Sequence, residues 1–119
     1  MWKHVKGYEN LYLVSDAGEV RSVPRVIRRS NGRQHTIVSK VLKPAKDKSG
    51  YLRVGLMREG KLVTEKVHRL VANTYHVKMK NQEVNHKNGI KTDNRALNLE
   101  WVSRSDNMLH AFKNKLANP

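Results

Sequence analysis

The chain has 119 residues and carries 24 lysines and arginines against 10 acidic residues, a formal net charge of +14 with a pI near 10.4; that size predicts one domain with room for a small appended module, and that charge predicts a polyanionic partner, nucleic acid first. It has no cysteine, which excludes a Cys-based zinc site and disulfides and fits a reducing cytoplasm. No run approaches the roughly 18 apolar residues of a membrane span, and Met1 to Gly7 lacks the apolar core of a signal peptide, so a soluble, cytoplasmic protein with no membrane partner is expected.

Leu11 to Ser15 predicts a strand, Asp16-Ala17-Gly18 a turn, and Glu19 to Ser22 the returning strand. Trp2, Tyr8, Tyr12 and Val14 suffice for a small local core, which leaves Arg21 as the candidate nucleic-acid contact. Pro24 to Gln34 then sets Arg25, Arg28, Arg29 and Arg33 around the turn residues Ser30-Asn31-Gly32. In a chain this basic, arginines around a turn favour phosphate contact over a merely solvated loop. Thr36 to Leu42 predicts a further strand.

Asp47 to Gly50 is a turn, Tyr51 to Met57 alternates as a strand, Arg58-Glu59-Gly60 reverses it, and Lys61 to Lys66 is its partner. Val67 to Tyr75 predicts a helix with Val67, Leu70, Val71 and Tyr75 as its apolar stripe. His68 and Arg69 fall off that stripe or at its edge. Either a phosphate contact or a locally satisfied helix residue accounts for His68.

Glu83 to Asn114 holds the most specific pattern. A short strand ends in Val84-Asn85-His86, Lys87-Asn88-Gly89 turns into a polar loop, and Asn98-Leu99-Glu100-Trp101-Val102 makes a second strand. Ser103 or Ser105 caps the helix that follows, and Asp106 falls in its first turn. Met108, Leu109, Phe112 and Leu116 recur at helical spacing, which predicts that this face packs on the two strands. Trp101 reads as core. The polar residues left over are His86, Asn98 and Asn107, and a strand–strand–helix unit of this size brings such residues together.

The order and spacing of His86, Asn98 and Asn107, with the string Val84-Asn85-His86-Lys87-Asn88-Gly89 and the trailing His110, resembles the HNH nucleases, whose core is the ββα-metal fold. The match is closest to HNH endonucleases of phages and phage introns. Trp2, Gly7-Tyr8-Glu9, Tyr12, Val14-Ser15 and Gly18 with Val20-Arg21-Ser22 resemble the DNA-contacting module that precedes many of those nuclease cores. The resemblance implies an α+β fold: an N-terminal β-hairpin module and antiparallel strands, followed by a ββα-metal core. We place the module at 1–45 and the nuclease domain at 46–119, with its core at about 83–114.

By resemblance, His86 is the general base and Asn98 braces the loop and orients that histidine. Asn85 and Asn107 are the metal ligands, and relatives often have Asp or His at one of those positions. Their oxygen donors suit one Mg²⁺ or Mn²⁺ per site. Asp93 and Asp106 are nearby acids that could take the place of an asparagine in the ligand set. Arg21, Arg25, Arg28, Arg29, Arg33, His68, Arg69, Lys87 and His110 are the candidate DNA contacts. The implied activity is metal-dependent hydrolysis of phosphodiesters in double-stranded DNA by a phage-encoded or homing-type enzyme, acting as a monomer or homodimer without a small-molecule cofactor. In a phage, the setting would be the bacterial host cytoplasm. The alternatives are a non-catalytic DNA-binding protein, a degenerate nuclease or regulator, and an RNA- or ribosome-associated protein.

Overall fold

The computed structural model describes residues 1–78 and 81–117, with side chains described as far as His110. Strands β1 (Trp2–His4), β2 (Tyr12–Ser15) and β3 (Val20–Ser22) form an antiparallel sheet in that order. β1 has no signature in the sequence because all its residues are exposed. Backbone pairing holds it, with Trp2 opposite Ser15 and His4 opposite Leu13. Tyr8, Tyr12 and Val14 are core residues, whereas Trp2 stays exposed beneath the Arg21 guanidinium.

The basic loop is a hairpin of β4 (Arg25–Arg28) and β5 (Gln34–Ile37). Its tip closes through Gly32, at φ 78°, and the Asn31 side chain accepts the Arg33 N–H. The strand expected over 36–42 stops at Ile37, with only a bridge between Val41 and Arg21 beyond it. Polar contacts to β3 replace a ladder there: Lys40 N–H donates to Ser22 Oγ, and Ser22 N–H donates to the Lys40 carbonyl.

β6 (Ala45–Lys46), β7 (Leu52–Arg58) and β8 (Lys61–Lys66) form a second three-stranded antiparallel sheet. The β7–β8 turn uses Glu59 and Gly60, both at positive φ, as a two-residue hairpin matched to strand twist requires. Helix α1 (Val67–Tyr75) follows and buries Val67, Leu70, Val71 and Ala72. Those side chains meet Val5, Val14 and Val20 from the N-terminal sheet, Val54 and Leu56 from β7, and Leu99 from further along the chain. One core therefore joins both halves. Tyr12 Oη accepts the Met57 N–H, and Tyr75 Oη donates to the Val14 carbonyl, so polar bonds cross the same junction.

β9 (Gln82–His86) pairs antiparallel with β10 (Leu99–Ser103), and helix α2 (Arg104–Ala117) follows directly. Ser103 Oγ accepts the Asp106 N–H and caps α2. The apolar face expected on α2 does not reach the strands through Met108 and Leu109, which are 66% and 58% exposed. The helix turns half-buried Asn107 and His110 inward instead, onto Glu83 and the Lys87 carbonyl. Spacing of three places those two polar residues on one face, so as far as His110 the part of α2 that meets the strands is polar. The side chains of Phe112 and Leu116 and the tail after Ala117 lie outside the described residues. No helix among the described residues is long and apolar enough to cross a membrane.

Candidate active site

β9 ends at His86, and the chain there folds back through a polar loop to β10. Cross-strand pairing sets His86 opposite Leu99 and Asn85 opposite Glu100. Consecutive strand residues face opposite sides, and Asn85 and His86 do so. The His86 ring turns toward α1 and the residue that precedes β7, with centroids 5.2 Å from His68 and 5.8 Å from Tyr51. Burial pushes its pKa down, opposed by a hydrogen bond to Asn94. That bond runs from His86 Nε2–H to Asn94 Oδ1 at 2.8 Å, between two buried side chains. It leaves Nδ1 as the nitrogen with a free lone pair.

Asn98 makes no hydrogen bond to His86; Asn94 does. Asn98 instead ties the loop ends: its Oδ1 accepts the Asn88 N–H at 3.1 Å, and its Nδ2 donates to Asn88 Oδ1 and the Asp93 carbonyl. Asp93 is taken up by Arg95 and Asn88, and the Arg95 guanidinium holds its carboxyl well below the usual carboxylate range. It is therefore a loop anchor. Asp106 lies exposed in the first turn of α2. Lys87 is exposed, and its carbonyl accepts from His110 Nε2 at 2.9 Å. Asn94 escaped the sequence reading because it sits in a polar loop where asparagine serves turns equally well.

The α2 face of β9 carries oxygen donors. Asn85 Nδ2 donates to Glu100 Oε1 at 3.0 Å, and Asn107 Nδ2 donates to Glu83 Oε2 at 3.0 Å. Glu83 and Asn85, two apart on β9, share that face. Among the described residues no three His, Cys, Asp or Glu side chains group to hold a metal. A donor set of two amide oxygens backed by two carboxylates nonetheless fits a hard divalent ion. His86 shares no hydrogen bond with either asparagine, but Tyr51 and His68, whose rings touch His86, line the same cleft as Glu83 and Asn107.

A polar cleft of about 420 Å³ runs past β9, lined by Tyr51, His68, Arg69, Gln82, Glu83 and Asn107 among others. His68, which the sequence sets off the apolar stripe of α1 or at its edge, is buried. Its ring meets those of Tyr51, at 4.8 Å, and His86, at 5.2 Å, and the three rings form one mutual contact. Among the described residues its Nδ1 has no hydrogen-bond partner. Burial, aided by neighbouring His86, pushes its pKa down to about 3.

Residues 65–109 match the family model for the HNH endonuclease, and residues 1–57 match that of the NUMOD4 motif. The DNA endonuclease I-HmuI of Bacillus phage SP01 is 40% identical over 110 residues, which span 90% of this chain and 55% of that protein. An uncharacterised HNH endonuclease of Acanthamoeba polyphaga mimivirus is 38% identical over 125 residues, 98% of this chain and 27% of its own. A solved structure, described as DNA binding and cleavage by the HNH homing endonuclease I-HmuI, aligns at a TM-score of 0.78 and 37% identity. That alignment covers 97% of this chain and 59% of the other. The chain belongs to the HNH endonuclease family.

It spans about half the length of its phage relative. The α+β architecture, with a β-rich N-terminal half ahead of a strand–strand–helix unit, is that of an HNH homing endonuclease. Within the NUMOD4 half, the arginines separate into two groups. Arg21 bonds Ser39 Oγ and covers Trp2, and Arg25 donates to the Leu11 carbonyl and covers Tyr12, so both brace the fold. Arg28, Arg29 and Arg33 are exposed at the hairpin end, and Arg69 is exposed on α1. The NUMOD4 half also buttresses the HNH loop. Ala96 N–H donates to the Asp16 carbonyl at 2.8 Å. A Cβ on Gly18 would stand 2.9 Å from the Asn94 carbonyl oxygen.

Proposed function

We propose that the chain is a metal-dependent endonuclease that hydrolyses phosphodiester bonds of double-stranded DNA. The observation that carries this is His86, a buried imidazole whose Nε2–H is tied to Asn94 while Nδ1 stays open. Asn85 and Asn107 would hold Mg²⁺ or Mn²⁺ through their Oδ1 atoms. Such an ion, when bound, neutralises charge on the phosphoryl oxygens and on the departing oxygen. His86 Nδ1 takes a proton from water, the oxygen of that water attacks phosphorus, and the 3′-oxygen leaves and takes up a proton from solvent. The products carry 5′-phosphate and 3′-hydroxyl ends. Asn98 keeps the loop folded so that Asn94 meets His86.

Burial serves the same step, because an imidazole with a depressed pKa is neutral and able to accept a proton at neutral pH. Arg28, Arg29, Arg33 and Arg69 supply phosphate contacts, with Lys87 and His110 beside the site. We assign residues 1–45 to the DNA-gripping module and 46–119 to the nuclease half. A monomer nicks one strand and a homodimer cuts both. The relatives' names favour the phage or homing setting, with the host cytoplasm as the compartment.

Supercoiled plasmid incubated with Mg²⁺ or Mn²⁺, with and without EDTA, tests this beside His86→Ala. Cleavage by the wild type that vanishes in EDTA and in the variant is expected. Salt-sensitive binding without any cut would favour a DNA-binding protein that has lost its chemistry, a reading for which the uncharged pair Asn85 and Asn107 is the relevant observation. Undiminished cutting by His86→Ala would remove the general-base assignment.

A further inference from the structure

Two neutral amides are poor cation ligands unless their oxygens are aimed. The last torsion of an asparagine is roughly two-fold, so a free side chain presents its oxygen or its NH₂ to a site with similar ease. An NH₂ turned inward would repel a cation. Here each candidate ligand has its amide nitrogen taken by a glutamate: Asn85 by Glu100 and Asn107 by Glu83, both at 3.0 Å. A carboxylate only accepts, so the atom facing it must be Nδ2 and the atom left over must be Oδ1. The backbone enforces both pairs. Glu100 is the direct cross-strand partner of Asn85, and Glu83 lies on β9 where α2 brings Asn107 across it.

We propose that Glu83 and Glu100 are positioning residues that lock Asn107 and Asn85 with their oxygens turned out to bind a divalent cation. The proposal rests on the reading of those asparagines as ligands. It extends that reading to two residues that the motif does not include, and it accounts for how a site without an acidic ligand holds a cation. The glutamates act through the amides and do not themselves ligate.

Mn²⁺ binding tests this, read by the electron paramagnetic resonance signal of free Mn²⁺. The full chain is titrated with a short DNA duplex present, in a His86→Ala background that keeps the DNA intact. Glu83→Ala and Glu100→Ala should each weaken Mn²⁺ binding about 10–100-fold, the usual effect of removing a group that orients a ligand. Glu83→Gln and Glu100→Gln, whose Oε1 accepts the same hydrogen bond, should restore most of it. With Asn107→Ala already in place, Glu83→Ala should add no further loss.

Alanine variants that bind Mn²⁺ as the parent does would overturn the proposal, and so would a Glu83→Ala loss that persists without Asn107, which would mark direct ligation. A parent chain that binds no Mn²⁺ on DNA would sink the ligand assignment itself and the proposal with it. Circular dichroism checks each fold. Glu100→Thr, a good strand former, replaces Glu100→Ala if that variant unfolds.

Discussion

Asn94 Oδ1 accepts the Nε2–H of His86 at 2.8 Å, and both side chains are buried. The bond selects one tautomer of the imidazole and frees Nδ1. Removing it lets the ring turn over or protonate elsewhere. Asn94→Ala should therefore fold but cut at least about tenfold more slowly, short of the about 10²–10⁴-fold loss expected for His86→Ala. Plasmid nicking rates give the effect. The ¹⁵N shifts of the His86 ring, read by long-range correlation, should show the Nε2–H form giving way to a mixture in the variant.

Gly18 sits in the β2–β3 turn at φ +90°, packed against the Asn94 backbone. Gly18→Ala meets strain at that φ and a Cβ 2.9 Å from the Asn94 carbonyl oxygen. We expect about 1–3 kcal/mol of destabilisation from the backbone alone, seen as a lower thermal midpoint. Displacement of Asn94 should also slow cleavage at temperatures where the variant remains folded. A Gly60→Ala control, also at positive φ but with no atom within 4 Å of the added Cβ, should lose stability without the same loss of rate.

His68 is neutral in the folded protein down to a pKa of about 3, against 6.5 for the free side chain. Between those values the unfolded chain binds a proton that the folded one refuses. Stability is thus fully present above about pH 6.5 and is lost as the pH falls toward 3. The loss should reach a few kcal/mol at order of magnitude. His68→Phe, which keeps a ring against Tyr51 and His86, should flatten that part of the acid limb. Urea midpoints at pH 7 and pH 5 for both proteins measure it.

Arg28, Arg29 and Arg33 stand exposed around the β4–β5 hairpin end, while Arg21 and Arg25 are tied into the fold. Alanine at each of the first three should weaken DNA binding about equally on unrelated sequences and reduce the slope of log K against log salt by about one per residue. Arg25→Ala should show mainly a lower thermal midpoint, since it loses the Leu11 carbonyl and the Tyr12 ring. Fluorescence anisotropy over a salt series, paired with melting curves, separates the two groups.

The β7–β8 hairpin, α1 from Val67 to Tyr75, and the β9–β10–α2 order were all legible in the sequence. Each depends on local signals: alternation, a helical stripe, turn residues and a serine cap. The placement of His86, Asn85 and Asn107 within that unit was legible for the same reason, through spacing. β1 was not, because its exposed residues carry no pattern and it is held by pairing with Leu13, Val14 and Ser15 across the sheet. Nor was the inward turn of Asn107 and His110 on α2, which meet Glu83 and the Lys87 carbonyl while Met108 and Leu109 stay exposed.

By itself the sequence determined the basic charge, the family pattern and which residues stand at the end of the β9 strand, since composition and spacing need no coordinates. Tertiary structure alone decided which nitrogen of His86 stays open, that His68 is buried beside it, and that glutamates take the amide nitrogens of Asn85 and Asn107. Those outcomes follow from contacts between residues 8 to 24 apart in the chain and from the desolvation of α1 against β9. No local window of residues contains that information.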